Sequence, residues 1–147
     1  MAVCSGLTVG KRFVEKVSQR IRTIIVDDSD AFLEITGHLI DFEAIDLVAA
    51  ASDGVEAIGV AARLRPELVV MDVVLPGLDG LEVATLLSDM SPAPKVVLMS
   101  EVDTPELRAA GRRAGAFAVV SKGNFQQEFR QVLERIQHIE AVRREIA

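Results

Sequence analysis

Five short runs of this chain, TIIV (23–26), DLVAA (46–50), LVVM (68–71), KVVLM (95–99) and AFAVV (116–120), are apolar almost without interruption. A strand with one face in water alternates apolar and polar residues, so runs without alternation belong to a sheet covered on both faces, which is the condition of parallel sheets. The segments between them carry helical spacing instead. Phe32, Ile35, Leu39 and Ile40 form one face of a first helix, Val55, Ile58, Ala61 and Ala62 of a second, and Val83, Leu86, Leu87 and Met90 of a third. Thr104 followed by Pro105 is an N-cap and first-turn pair, opening a fourth helix that passes through Leu107 and Ala110 and closes near Gly115. Phe125, Phe129, Val132, Leu133, Ile136 and Ile139 give a long fifth.

Strand and helix in alternation predict an α/β fold: a doubly wound, five-stranded parallel sheet with helices on both faces. Length and composition agree. The chain has 147 residues, half of them hydrophobic, which suits a single domain with a full core. Its formal charge of -6 disfavours broad nucleic-acid binding. Cys4 is the lone cysteine, so no internal disulfide forms, and a reducing, cytoplasmic location is expected. No run approaches the ~18 apolar residues of a membrane span, and the first twenty residues lack the apolar centre of a signal peptide.

Residues 1–22 differ from the rest, with a local charge of +4 against -10 for the remainder. Residues 1–21 read as a basic N-terminal arm, in which Phe13, Val17 and Ile21 give KRFVEKVSQRI the stripe of a short helix. Packing on the chain's own domain is one use for that stripe; a partner or a membrane surface is another.

Polar residues mark the places where the apolar runs end. Asp27 and Asp28 follow the first strand, Asp72 ends the third, Ser100 ends the fourth, and Lys122 follows the fifth. In open parallel sheets ligands bind beyond the carboxyl ends of the strands, where the winding reverses. With the flavodoxin-like strand order 2-1-3-4-5 the first and third strands are neighbours there, bringing Asp27, Asp28 and Asp72 together. Such a cluster needs a neutralising cation, and an oxygen-only ligand set is what Mg²⁺ prefers. A carboxylate beside that cation can attack phosphorus and form an acyl phosphate, with Lys122 and Ser100 stabilising the phosphoryl oxygens.

These elements resemble the receiver domain of bacterial two-component response regulators. The likeness rests on VDDS, on MDVVLPGLDG around Asp72, on LMS with Ser100 and on VVSK with Lys122, and it covers residues 22–143, leaving 144–147 as a tail. The resemblance implies that Asp72 is the phosphoacceptor, Asp28 a direct Mg²⁺ ligand, Asp27 a ligand through water and Val74 a ligand through its backbone carbonyl. It implies that Ser100 binds the phosphoryl group and that Lys122 bridges phosphoryl and carboxylate. It implies a histidine kinase or histidine phosphotransfer protein as donor and a protein-contact output, with no enzyme activity on an external substrate. The fourth helix, fifth strand and fifth helix would carry that output, including Arg108, Arg112, Arg113 and the polar face from Gln126 to Arg135, and could also form a homodimer.

Two positions depart from the family pattern. Val119 stands where an aromatic usually lies three residues before the lysine, and Gly123 follows the lysine where proline is common. Phe117, two residues before Val119, is expected on the same side of the strand by alternation. Val74 and Val102 lie two residues beyond Asp72 and Ser100, where apolar side chains predict a long-lived phosphoryl group.

Other polar residues read more plainly. Asp30 and Asp79 are helix-start residues, Gly54 belongs to a turn at a helix start, and His38 and His138 lack partners at metal or catalytic spacing. The chain reads as a stand-alone switch, with two alternatives: the receiver portion of a longer DNA-binding regulator, or a degenerate receiver acting as a constitutive scaffold. A hydrolase using an aspartyl phosphate is disfavoured because Val74 stands where its second acid is needed.

Overall fold

A computed structural model of the chain describes residues 20–29 and 42–146. The sheet contains β1 (Ile21–Val26), β2 (Ile45–Ala51), β3 (Leu68–Asp72), β4 (Lys95–Ser100) and β5 (Ala118–Ser121). All pairings are parallel and the order is β2-β1-β3-β4-β5, as expected. The helices are α1 (Gly54–Leu64), α2 (Gly80–Ser88), α3 (Pro105–Arg113) and α4 (Phe125–Ile146), which are the second to fifth of the sequence reading. The first helix anticipated there, with Asp30 and His38, lies outside the described residues. So does the N-terminal arm with Cys4, apart from its last two residues.

The continuous apolar runs divide by alternation. Ile25, Leu68, Val70, Val97, Met99 and Val120 pack under α4, against Phe125, Phe129, Val132, Leu133 and Ile136. Ile24, Val26, Val69, Met71, Val96, Leu98 and Val119 point the other way, against α1, α2 and α3. Each fully buried Leu, Ile, Val or Phe contributes about 1.5–3 kcal/mol relative to exposure. Unbroken apolar runs are therefore the chemical form of a two-sided sheet.

Four expectations need correction. Ile21 opens β1 and is buried, so it belongs to the sheet and not to a helical stripe. Arg22, counted with the basic arm, sits in β1 and donates from Nη1 and Nη2 to the carbonyls of Arg65 (2.9 Å) and Leu64 (2.8 Å), capping the end of α1. On α1 itself the buried face is Gly54, Ala57, Val60 and Ala61, while Val55 and Ala62 are exposed. Gly54 sets that phase, because a Cβ there would lie 2.6 Å from Val83 Cγ2: the helix presses against α2 through its smallest residues. On α2, likewise, Leu86 is exposed and the small Ala84 is buried.

The anticipated caps are present. Thr104 accepts from Leu107 N–H at the start of α3, and Asp79 and Glu82 form a reciprocal capping box at the start of α2. His138 is exposed on α4.

Candidate functional site

The carboxyl ends of β1, β3, β4 and β5 converge on one edge of the sheet. Asp27 leaves β1, its N–H donating to Ala51 O at 3.1 Å, and Asp72 is the last residue of β3. Carboxylate oxygens of Asp27, Asp28 and Asp72 lie within 4.8 Å of one another. Asp27 and Asp72 are buried and Asp28 is exposed, so two of the three negative charges are removed from water.

Lys122, at the start of a 3₁₀ turn after β5, reaches across the sheet edge. Its Nζ donates to Asp72 Oδ2 at 2.5 Å and lies 3.5 Å from Asp27 Oδ2. Burial alone would lower the pKa of this ammonium, but the hydrogen bond to Asp72 and the charges of Asp72 and Asp27 outweigh it and hold the group above its ordinary value. Lys122 is therefore charged throughout the neutral range.

The remaining acceptors are unevenly served. Asp72 Oδ1 accepts from Val74 N–H at 3.0 Å, and Asp27 Oδ1 accepts from the N–H and the hydroxyl of Ser29 at 3.0 and 2.8 Å. Asp27 Oδ2 is buried and, among the described residues, accepts no hydrogen bond, the Lys122 ammonium standing 3.5 Å from it. A buried carboxylate with an oxygen that lacks a hydrogen bond, within 4.8 Å of two other carboxylates, is a place for a hard cation, and the all-oxygen donor set fits a divalent one. Beside it an open cleft of about 310 Å³ is lined by Asp27, Asp28, Ser29, Ala50, Ala51, Ser52 and Glu56.

Ser100, the last residue of β4, is buried, and its hydroxyl oxygen accepts from Val102 N–H at 3.0 Å. Ser100 pairs with Ser121, next to Lys122, across the β4–β5 ladder. The anticipated residues Asp27, Asp28, Asp72, Ser100 and Lys122 thus stand along one edge, with Val74 and Val102 exposed at its rim. Phe117 does not join them. It precedes β5, packs on the α4 side beneath the Arg135 guanidinium, and faces away from the side that Val119 takes.

The turn that carries Asp72 is held by glycine twice. Gly77 has φ +75°, a left-handed conformation, in the loop after β3. At Gly80 an added Cβ would lie 2.5 Å from Asp72 O and 2.7 Å from Val73 Cα, both backbone atoms that cannot yield. Gly80→Ala is expected to destabilise the fold by about 1–3 kcal/mol through this overpacking, read as a lower midpoint in urea with unchanged slope.

Sheet order, acidic cluster and lysine define a receiver, and the family comparison agrees. The family model described as the response regulator receiver domain matches residues 23–134, so the chain belongs to the response regulator receiver family. It is 36% identical over 104 residues to protein-glutamate methylesterase/protein-glutamine glutaminase 5 of Myxococcus xanthus, spanning 69% of this chain and 30% of that protein. To the response regulator GacA of Pseudomonas aeruginosa it is 32% identical over 117 residues, 79% of this chain and 55% of GacA. Among solved structures, the response regulator domain of Thermotoga maritima CheB superposes with a TM-score of 0.69 at 26% identity, covering 81% of this chain and 95% of that one. The chain thus spans about a third and about half the length of the two curated relatives. Among the described residues no helix is long and apolar enough to cross a membrane.

Proposed function

We propose that this chain is a phosphorylation switch in which Asp72 accepts a phosphoryl group from a histidine kinase or histidine phosphotransfer protein in the cytoplasm. The reading rests on one observation above all: Asp72 is a buried carboxylate fixed at both oxygens, by Val74 N–H and by Lys122, beside two further acids and an unserved oxygen. A carboxylate so held is oriented for in-line attack without further ordering.

Asp28 and Asp72 would hold Mg²⁺ directly, with Asp27 through water and Val74 through its carbonyl. Bound there, the ion would neutralise charge on the phosphoryl oxygens. A carboxylate oxygen of Asp72 forms the new O–P bond while the P–N bond to the donor histidine breaks, leaving the electron pair on the imidazole nitrogen. Lys122 carries the positive charge that the transferred oxygens meet, and Ser100 offers its hydroxyl proton. The product adds about 1.5–2 negative charges to the sheet edge, enough to bias a two-state surface and its protein contacts. Val74 and Val102 at the rim offer no group to activate water, which favours a slow loss of the phosphoryl group.

The test is incubation with acetyl phosphate, with and without Mg²⁺, followed by intact mass. Wild type should gain one phosphoryl group only with Mg²⁺, and Asp72→Asn none. Uptake by Asp72→Asn equal to wild type would refute the assignment.

A second reading, the receiver portion of a longer regulator, is favoured by coverage: the chain spans 30% and 55% of the two curated relatives above. An uninterrupted reading frame past Ala147 would establish it.

A further inference from the structure

Arg108 on α3 is hydrogen-bonded to three separate parts of the chain. Its Nε donates to Asp103 Oδ1 at 2.7 Å, in the loop that leaves Ser100. Nη1 donates to the carbonyl of Val119 at 2.9 Å in β5, and Nη2 to Glu128 Oε1 at 3.1 Å on α4. The same Glu128 oxygen accepts from the N–H of Ser121 at 3.3 Å, one residue before Lys122.

Those bonds occupy a particular pair of backbone groups. Among the described residues β5 is the last strand of the sheet, so its outer C=O and N–H groups have no strand there to pair with. In a parallel ladder one residue of a neighbouring strand bonds the carbonyl before a given position and the N–H after it. Around Val120 these are the Val119 carbonyl and the Ser121 N–H, and the guanidinium and carboxylate of the Arg108–Glu128 pair take both. The pair is built into the sheet edge beside Lys122, while the third arm of Arg108 holds the Ser100 loop through Asp103.

The side chain at position 119 is packed between strand and helix. Val119 is buried, and a Cβ at Gly111, one turn beyond Arg108 on α3, would lie 2.5 Å from Val119 Cγ2. The helix and strand are in contact there, and Arg108 crosses the open edge next to that contact. At the other end, Val102 N–H donates to the Ser100 hydroxyl oxygen, so a displaced hydroxyl carries the Val102–Asp103 backbone with it.

Building on the phosphorylation reading above, we propose that the Asp103–Arg108–Glu128 clasp is a resting-state latch. It holds the Ser100 loop and the Lys122 end of β5 in one arrangement, and it opens as Asp103 follows Ser100 toward a phosphorylated Asp72. Arg108 is on this account a positioning residue, acting through Ser100 and Lys122 without touching the transferred group.

A latch that stabilises only the resting state slows entry into the phosphorylated one, so its removal speeds phosphoryl uptake. The experiment compares the rate of Mg²⁺-dependent uptake from acetyl phosphate in wild type, Asp103→Asn, Arg108→Ala and the double variant. Asp103 is exposed, so Asp103→Asn tests the loop arm with the strand edge left in place. Uptake should rise about 3- to 10-fold in Arg108→Ala, which loses two ion pairs and the bond to the Val119 carbonyl, and about 2- to 5-fold in Asp103→Asn, the range that a single exposed pair can supply. The double variant should be no faster than Arg108→Ala, because both substitutions release the same arm. A brace with no part in switching would lower the thermal midpoint and leave all rates within twofold of wild type. That result, or slower uptake in the variants, overturns the latch and leaves the phosphorylation reading standing. No uptake by wild type overturns both.

Discussion

Lys122→Ala should slow Mg²⁺-dependent phosphoryl uptake onto Asp72 by about 10²- to 10³-fold, the cost of removing one preorganised group aimed at developing charge. The same substitution should also weaken the metal-free fold. Lys122 Nζ stands 2.5 Å from Asp72 Oδ2 and 3.5 Å from Asp27 Oδ2, and the side chains involved are 13%, 8% and 0% exposed. Removing one partner of a buried pair leaves the other charges uncompensated, which costs about 3–5 kcal/mol in comparable settings. A divalent cation at the acidic cluster would restore part of that loss, since a ligand that binds only the folded state stabilises it by mass action. Urea denaturation with and without Mg²⁺ separates the two effects. A variant whose stability without metal matches wild type would show that the lysine does not compensate the buried acids.

The strand ends were readable because parallel topology fixes them: once five buried runs are identified, Asp27, Asp72, Ser100 and Lys122 fall on one edge without knowledge of any side-chain contact. Local chemistry was readable for the same reason, as at Thr104 and Asp79, where the donors and acceptors lie three residues apart. Packing phase was not. Hydropathy ranks Val55 above Gly54 and Leu86 above Ala84, but α1 and α2 approach each other so closely that the small residues take the interface. The start of β5 was misjudged because Ala116 N–H still donates to Gly111 O, 2.9 Å away, closing α3, so strand alternation begins only at Ala118 and Phe117 turns toward α4.

The Arg108 clasp was only half visible. Arg108 stood out as a basic residue of an anticipated output surface, yet its guanidinium faces Asp103, Val119 and Glu128. Glu128 fell within the polar face from Gln126 to Arg135, but its pairing with Arg108, like that of Asp103, carried no signal, because ion pairs between elements follow no sequence spacing. The difference between Asp27 and Asp28 was also hidden: adjacent in sequence and with carboxylate oxygens within 4.8 Å of each other, they differ in that only Asp27 is buried.

That difference gives Asp27→Asn opposite effects on stability and on metal binding. Without a cation, among the described residues Asp27 has one close attraction, from Lys122 at 3.5 Å, and two close repulsions, from carboxylates whose oxygens lie within 4.8 Å. At the effective dielectric of about 20 that suits such sites, the two repulsions exceed the attraction by roughly 2 kcal/mol. Asparagine retains an acceptor for the Ser29 N–H and hydroxyl, which now bind Asp27 Oδ1, and it replaces the buried oxygen that accepts no hydrogen bond with an uncharged donor. Metal-free Asp27→Asn is therefore expected to be about 1–2 kcal/mol more stable than wild type, measured by urea denaturation in the presence of a chelator. Mg²⁺ affinity should move the other way and fall about 10- to 100-fold, as it does when a group supporting the metal is lost, read by titrating the protein's melting midpoint with the ion. At saturating Mg²⁺ the stability advantage of the variant should shrink or reverse. Loss of stability without metal would mean that Lys122 outweighs both neighbouring carboxylates, and the cluster would then be a balanced ion-pair network with no electrostatic demand for a cation.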